Sequence, residues 1–446
     1  MNDNLGTKSP TVVAIIGRAN VGKSTLFNKI IGRKTAIVNN TRGVTRDRNY
    51  GIGEWFGKTF WAVDTGGIDF SGESDFEPLI AEQAEFAKEE ADCVIFVMDC
   101  RQGMTPQDRE IIEVVRKSGK PLFLAVNKVD NPENESLAYE FAQIGIDNTY
   151  SVSAEHGHGL MELMEAVTDE IPENEPIEVD ENEIRISIIG RPNVGKSSLV
   201  NRLLDSSRCI VSDKPGTTRD AIDSPIEVDG QKYVLIDTAG IRRKGKTVQV
   251  LEKFSVIMSL KALERCHIAV LVIDGDEGLT EQDATIIGYA VEKGRGCIVL
   301  VNKWDLAKNK YKEFADFKES IQNKLKFLDF APFFAVSAKT GYNLQLFFPK
   351  INQVFEGCSK RVATGPLNDC FEKAIERNPF SSFRGKLIKL FYSAQVRNCP
   401  PTFRCFINYP QGIHFSYKRY LINSLRKKFG FHGTPVRLLF SRRKSK

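Results

Sequence analysis

Short β-branched apolar runs alternate along this chain with stretches in which apolar residues recur every three or four positions. TVVAII at 11–16, TFWAVD running into Asp64, CVIFVMD at 93–99 and PLFLAVNKVD at 121–130 read as strands. LFNKIIG after Thr25, a stretch near Asp75 to Glu89 and another around Thr105 to Lys117 read as helices. Such alternation predicts a parallel sheet covered on both faces, with its ligand at the carboxyl ends of the strands. NNTRGVTRDRNYG, 39–51, is polar, lacks an apolar period and predicts a loop.

The pattern then repeats. GRANVGKST at 17–25 returns as GRPNVGKSS at 190–198, each between an apolar strand and a helical run. The polar segment returns as KPGTTRD at 214–220, and DTGG at 64–67 returns as DTAG at 237–240. NKVD at 127–130 returns as NKWD at 302–305, and SAE at 153–155 as SAK at 337–339. The offset is 173 for the first motifs, 175 for the next and 184 for the last, as expected of a duplicated domain with small late insertions. The acidic stretch ENEPIEVDENE, 173–183, reads as a linker, so the expected domains are 11–172, 184–357 and a remainder, 358–446.

That remainder leaves the repeat. LNDCFEKAIERN, KLIKLFYSAQV, TFRCFINY, SYKRYLINSLRKKF and VRLLF predict α-β-β-α-β, a small sheet with helices on one face. The chain as a whole carries +5, but from Glu356 onward 19 Lys/Arg face only 4 Asp/Glu. Basic charge interleaved with Phe403, Phe406, Tyr409, His414, Phe415 and Tyr417 suits a surface that meets RNA; the alternative is that the aromatics fill a small core. Gly430–Gly433, GFHG, falls between a helix and a strand and reads as a helix cap and turn.

The nine cysteines contain no C-x-x-C pair and fit buried thiols in a reducing compartment. No apolar run approaches the ~18 residues of a membrane span, and the N-terminus lacks the features of a targeting signal, so a cytoplasmic protein is expected.

G-x-x-x-x-G-K-S after a strand wraps a phosphate in backbone N–H groups, with glycine where a Cβ would strike oxygen. The expected contacts are Gly17, Arg18, Ala19, Asn20, Val21, Gly22, Lys23, Ser24 and Thr25, and in the second copy Gly190, Arg191, Pro192, Asn193, Val194, Gly195, Lys196, Ser197 and Ser198. Lys23 and Lys196 reach the β- and γ-phosphates, and the hydroxyls of Ser24 and Ser197 ligate Mg²⁺. Asp64 and Asp237 hold the Mg²⁺ through water at strand tips, followed by Thr65, Gly66, Gly67 and Ile68, and by Thr238, Ala239, Gly240 and Ile241. Gly67 and Gly240 offer an N–H to the γ-phosphate. Asn127, Lys128, Val129 and Asp130, with Asn302, Lys303, Trp304 and Asp305, read the base. An aspartate accepts from guanine N1–H and N2–H₂ but is left unpaired by adenine. Ser153, Ala154, Ser337, Ala338 and Lys339 are placed to offer N–H to guanine O6.

Together the tandem N-V-G-K-S loops, the T-R-D segments, the D-T-x-G-I motifs and the basic end near GTPVRL resemble the Der (EngA) family of Era-like GTPases, over nearly the whole chain. The resemblance implies an α/β fold of two Ras-like P-loop G domains with mostly parallel sheets, plus a small α+β KH-like domain. It also implies GTP hydrolysis to GDP with Mg²⁺ and action on the large (50S) ribosomal subunit and its rRNA, by a monomer away from membranes. Ala19 and Arg42 stand where the second copy has Pro192 and Pro215, which makes the first loop less rigid.

Ile68 and Ile241 occupy the place where many Ras-like GTPases put a water-orienting glutamine. In related potassium-activated GTPases an asparagine matching Asn20 and Asn193 helps hold K⁺, which would supply the missing positive charge while Thr45 and Thr218 close over Mg²⁺. The catalytic set is then Asn20, Lys23, Thr45, Gly67, Asn193, Lys196, Thr218 and Gly240, with Arg46, Arg219, Arg242 and Arg243 as rival charge donors. Two functions fit: a switch whose nucleotide state sets domain packing and RNA docking, or an RNA-binding module with incidental hydrolysis.

Overall fold

A computed structural model describes residues 11–32, 50–65, 86–88, 90–131, 141, 144–172, 183–205, 210–211, 223–238, 259–307 and 314–442. The chain divides into two compact units, one mainly Thr7–Pro176 and the other mainly Ile177–Lys246 with Ser255–Lys446.

In the first unit β1 (Val12–Ile16), α1 (Lys23–Ile31), β2 (Tyr50–Trp55), β3 (Lys58–Asp64), β4 (Cys93–Asp99), α2 (Pro106–Lys117), β5 (Leu122–Asn127), β6 (Thr149–Ser151) and α3 (Leu160–Asp169) follow in order. The sheet runs β2-β3-β1-β4-β5-β6. Only β2 is antiparallel to its neighbour. Every residue of β1 and β4 is buried, as parallel strands covered on both faces require. Tyr50 and Gly51, expected in a loop, begin β2, which turns into β3 through Phe56 and Gly57, both at positive φ.

The second unit repeats this plan with β7 (Glu183–Ile189), α4 (Lys196–Leu204), β8 (Ile210–Val211), β9 (Ser224–Val228), β10 (Gln231–Ile236), β11 (Ile268–Asp274), α5 (Glu281–Lys293), β12 (Gly296–Asn302), α6 (Phe314–Lys324), β13 (Phe333–Ala335) and α7 (Phe347–Ser359). Its sheet runs β13-β12-β11-β7-β10-β9-β8, and Glu183, expected to close the linker, already lies in β7.

The α-β-β-α-β order then appears as α8 (Thr364–Arg377), β14 (Leu390–Arg397), β15 (Thr402–Ile407), α9 (Phe415–Phe429) and β16 (Arg437–Arg442). The sheet order is β14-β15-β16, antiparallel then parallel, over a core of Leu367, Phe371, Phe403, Leu421, Leu425 and Leu438. Gly430 caps α9, its N–H donating to Arg426 O at 2.8 Å, as the GFHG reading expects.

This domain sits on the larger sheet domain of the second unit through both main-chain and side-chain contacts. Cys297 N–H donates to Gly433 O at 2.7 Å, and Gly433 N–H donates to Phe330 O at 2.9 Å. Thr434 Oγ1 donates to Val354 O at 3.2 Å, and the Arg426 guanidinium lies 4.3 Å from the Phe330 ring centroid.

Among the described residues no helix is long and apolar enough to cross a membrane, and no group of three or more His, Cys, Asp or Glu is placed to hold a metal ion.

Candidate nucleotide sites

The loop at Gly17–Gly22 leaves β1 and enters α1 in a conformation few side chains allow. Gly17 and Gly22 have φ of 143° and 99°, and a Cβ on them would strike the Val97 carbonyl oxygen and the Asn127 amide. Gly190 and Gly195 repeat this against Val272 and Asn302. Asn20 and Asn193, at φ 64° and 62°, are the non-glycine residues of the loops in left-handed conformation.

The helices that follow the loops begin without a side-chain cap. Neither α1 nor α4 has a side-chain cap or an acidic residue in its first turn. By contrast α2 and α5 carry complete capping boxes from Thr105 with Asp108 and Thr280 with Asp283. A helix start left uncapped beside a lysine is an anion site. Lys23 Nζ bonds Gly17 O and Arg18 O at 2.7 and 2.5 Å, and Lys196 Nζ bonds Gly190 O and Arg191 O at 2.5 and 2.6 Å. Burial lowers Lys23 to about 8, with the Asp64 carboxylate acting against the shift. The first arginine of each loop is tethered to the neighbouring capping box: Arg18 Nε donates to Asp108 Oδ1 at 2.9 Å, and Arg191 N–H to Asp283 Oδ1 at 3.3 Å.

Each loop is also wired to the strand end that carries N-K-x-D by one asparagine. Asn127 Nδ2 donates to Val21 O at 2.8 Å while its Oδ1 accepts Ala154 N–H at 2.9 Å. Asn302 does the same with Val194 O at 2.8 Å and Ala338 N–H at 3.0 Å. Lys128 Nζ reaches Asn20 O at 3.0 Å and Asp99 Oδ2 at 2.6 Å, and Lys303 Nζ pairs with Asp274 Oδ2 at 2.7 Å. Asp130 receives Ser153 Oγ at 2.6 Å and Arg101 Nη2 at 3.1 Å. The place of Arg101 in the second copy is taken by Asp276: each N–H donates to the aspartate ending the strand, Asp99 or Asp274. Trp304, buried, stands edge-on to Phe314 and Phe317 at 5.3 and 5.7 Å.

One expectation changes here. The Ala154 and Ala338 N–H groups are committed to the asparagines, which leaves the next backbone N–H groups, of Glu155 and Lys339, as the donors at this turn without a partner among the described residues. Lys339 is among the expected contacts, and Glu155, the third residue of the matching SAE motif, stands in the same place in the first copy.

Ser24, Thr25 and Ser198 are exposed, Ser197 half-buried, and Pro192 and Ala19 lie on the loop surface. Asp64 is buried where β3 ends beside Ile15, and Thr65 Oγ1 donates to Ile15 O at 2.9 Å. In the second copy Asp237 is at φ 58°, and its N–H donates to Asp223 Oδ1 at 3.1 Å. Thr238 Oγ1 meets Ser224 Oγ at 2.7 Å. Asp223 also pairs with Arg265 and approaches Arg185 Nη2 at 3.8 Å. No motif spacing points to these three residues. The serine hydroxyls and the carboxylates, Asp64 buried and Asp237 half-buried, are oxygen donors of the kind Mg²⁺ takes. Thr45, Gly66, Gly67, Ile68, Thr218, Ala239, Gly240 and Ile241 lie outside the described residues, as do Arg46, Arg219, Arg242 and Arg243.

Of the aromatics read as facing RNA, Phe403 is wholly buried and belongs to the C-terminal core. Phe406 instead stacks on exposed Tyr392, 4.4 Å between centroids, beside exposed Arg404, and Phe415 is 76% exposed.

Two uncapped G-x-x-x-x-G-K-S loops, each tied by an asparagine to an N-K-x-D strand end of a mostly parallel sheet, define a tandem P-loop protein. Residues 12–128 and 185–303 match the family described as 50S ribosome-binding GTPase, and residues 361–441 match the KH-domain-like C-terminal region of EngA bacterial GTPase enzymes. The chain is similar to the GTPase Der of Citrifermentans bemidjiense, 46% identical over 435 residues, 98% of this chain and 99% of that one. It is likewise similar to the GTPase Der of Bacillus cytotoxicus, 48% identical over 96% of this chain and 98% of that one. With that of Staphylococcus haemolyticus it shares 47% identity over 97% of this chain and 99% of that one. The chain belongs to the Der (EngA) family of GTPases, with two G domains and a KH-like C-terminal domain.

Proposed function

We propose that both loops bind GTP, that hydrolysis at each is Mg²⁺-dependent and stimulated by K⁺, and that the nucleotide state sets how the domains pack and how the basic C-terminal domain docks on rRNA during large-subunit (50S) assembly. The reading rests above all on the two uncapped helix starts, each with a buried lysine and an asparagine tie to the base-reading motif. The three expected domains, the cytoplasmic location and the monomeric state belong to the same reading.

Ser24, Thr45 and Asp64 would hold Mg²⁺ at the first site, and Ser197, Thr218 and Asp237 at the second, where the ion would offset phosphate charge. Lys23 and Lys196 keep the terminal phosphates in line. Asn20 and Asn193 would help hold K⁺, which would supply the positive charge that a glutamine does not provide here, since Ile68 and Ile241 cannot hydrogen-bond water. Asp130 and Asp305 select guanine over adenine.

Turnover measured in KCl against NaCl tests the potassium step; equal rates reject it. Co-sedimentation with 50S precursors, carrying GDP or a non-hydrolysable GTP analogue, tests the switch. Equal binding in the two states favours the alternative, an RNA-binding module with incidental hydrolysis.

A further inference from the structure

Within the second unit two cysteine sulfurs face each other across the junction of the second G domain and the C-terminal domain. Cys358 lies in the last turn of α7, and Cys399 in the turn joining β14 to β15; their Sγ atoms are 2.9 Å apart, closer than two unbonded sulfurs ordinarily sit. Both are free thiols. Cys358 is fully buried, whereas Cys399 is partly open to solvent. We infer that Cys358 and Cys399 form a peroxide-reactive dithiol, a modification site that converts to a disulfide tying the end of α7 to the β14–β15 turn.

The surroundings assign the two roles. Cys399 is lowered from the ordinary thiol value, first by the hydrogen bond from Cys358 and then by the charges of Arg295 and Arg397, against the effect of burial. Cys358 is raised by that same bond and by its burial. Burial raises Cys93, Cys100, Cys266, Cys297, Cys370 and Cys405, so Cys399 alone among the eight described cysteines moves toward the thiolate. Of the two, Cys399 is the residue nearer to solvent, which makes it the first to meet a small hydroperoxide.

The steps balance. The Cys399 thiolate attacks one oxygen of hydrogen peroxide, the O–O bond breaks, and the departing hydroxide takes up a proton, leaving Cys399 as a sulfenic acid and releasing water. The Cys358 sulfur then attacks Cys399 Sγ, the S–O bond breaks, and the hydroxide leaves as a second water with the Cys358 proton. Two thiols lose two electrons and one peroxide gains them. A dithiol reductant returns the pair to its starting state.

The test treats the full chain with a small excess of hydrogen peroxide, removes the peroxide, unfolds the protein while blocking all remaining thiols, and maps cysteine peptides by mass spectrometry with and without reductant. The expected result is that reactive thiols fall from nine to seven, with a reductant-sensitive Cys358–Cys399 peptide as the product. Cys358→Ser should halt the reaction at a Cys399 sulfenic acid that a dimedone probe captures. Retention of all nine thiols, or oxidation elsewhere before this pair, overturns the inference. The wild-type map alone decides it should the variant fail to fold, and nucleotide binding measured on the same sample separates this outcome from any failure of the proposed GTPase function.

Discussion

Asn127 holds the carbonyl oxygen of Val21 at 2.8 Å, so the residue that opens the base-reading motif also fixes the phosphate loop. Its other amide atom takes the Ala154 N–H, and three segments distant in sequence meet on one buried side chain. Asn127→Ala leaves a buried carbonyl and a buried N–H without partners, at about 1–3 kcal/mol each. The first site should then lose roughly 10- to 100-fold in guanine nucleotide affinity, with Asn302→Ala doing the same at the second. Titration with fluorescent GDP, the other site disabled through its loop lysine, checks both.

Lys23 carries a pH dependence with two opposite signs. Its ordinary value of 10.5 is lowered to about 8 by burial, so the folded, empty loop releases the proton first. Phosphate favours the charged ammonium, and binding above that pH must take a proton up. Affinity at the first site should therefore decline as pH rises through about 8 and toward the ordinary lysine value. Stability of the empty fold moves the other way in this window, because the unfolded chain binds that proton more tightly. Calorimetric titration in two buffers of different ionisation enthalpy would reveal the uptake; pH-independent affinity would contradict it.

Asp108 caps α2 and anchors the first loop arginine at once. It accepts Thr105 N–H at 2.9 Å, Thr105 Oγ1 at 2.8 Å and Arg18 Nε at 2.9 Å. Asp108→Ala should cost the first G domain about 2–3 kcal/mol, combining a lost cap with an unpaired guanidinium. Asp108→Asn, which keeps an oxygen acceptor, should recover part of the loss. Thermal unfolding of the three proteins gives the order.

Gly433 marks the contact of the C-terminal domain with α7. It has φ of 67°, and a Cβ there would strike the Val354 side chain. Gly433→Ala should destabilise the second unit by about 1–3 kcal/mol, through strain and overpacking together. Gly365→Ala, where a Cβ meets nothing within 4 Å in the first turn of α8, should be neutral or stabilising by up to about 1 kcal/mol. Denaturant unfolding compares them.

The motifs and the alternation of strands and helices are legible in the sequence because they depend on local spacing. β2 is not, since YGIGEW places glycines where strand formers are expected. Those glycines are explained only across the sheet: a Cβ on Gly51 would meet Ile31, and one on Gly53 the Phe60 ring. The same blindness hides an exchange between the copies. Asp92 accepts the Val12 N–H at 2.8 Å, while in the second copy His267 Nδ1 accepts the Arg185 N–H at 3.0 Å. An acid and an imidazole do one job there, and burial among Arg295 and Arg185 lowers His267 to about 4, so the ring stays a neutral acceptor. The Asp223 link to Asp237 is equally invisible, because no short-range pattern joins a polar segment to a strand end fourteen residues on.

The bonds of Gly433 to Cys297 and Phe330 run from peptide to peptide and carry no imprint of residue identity. Substitutions can therefore accumulate at Cys297 and Phe330 while those two bonds persist, whereas Gly433 itself is held by its positive φ and the nearby Val354 side chain. A lineage could rewrite the exposed basic side chains of the C-terminal domain and still inherit the same peptide-level attachment beneath them.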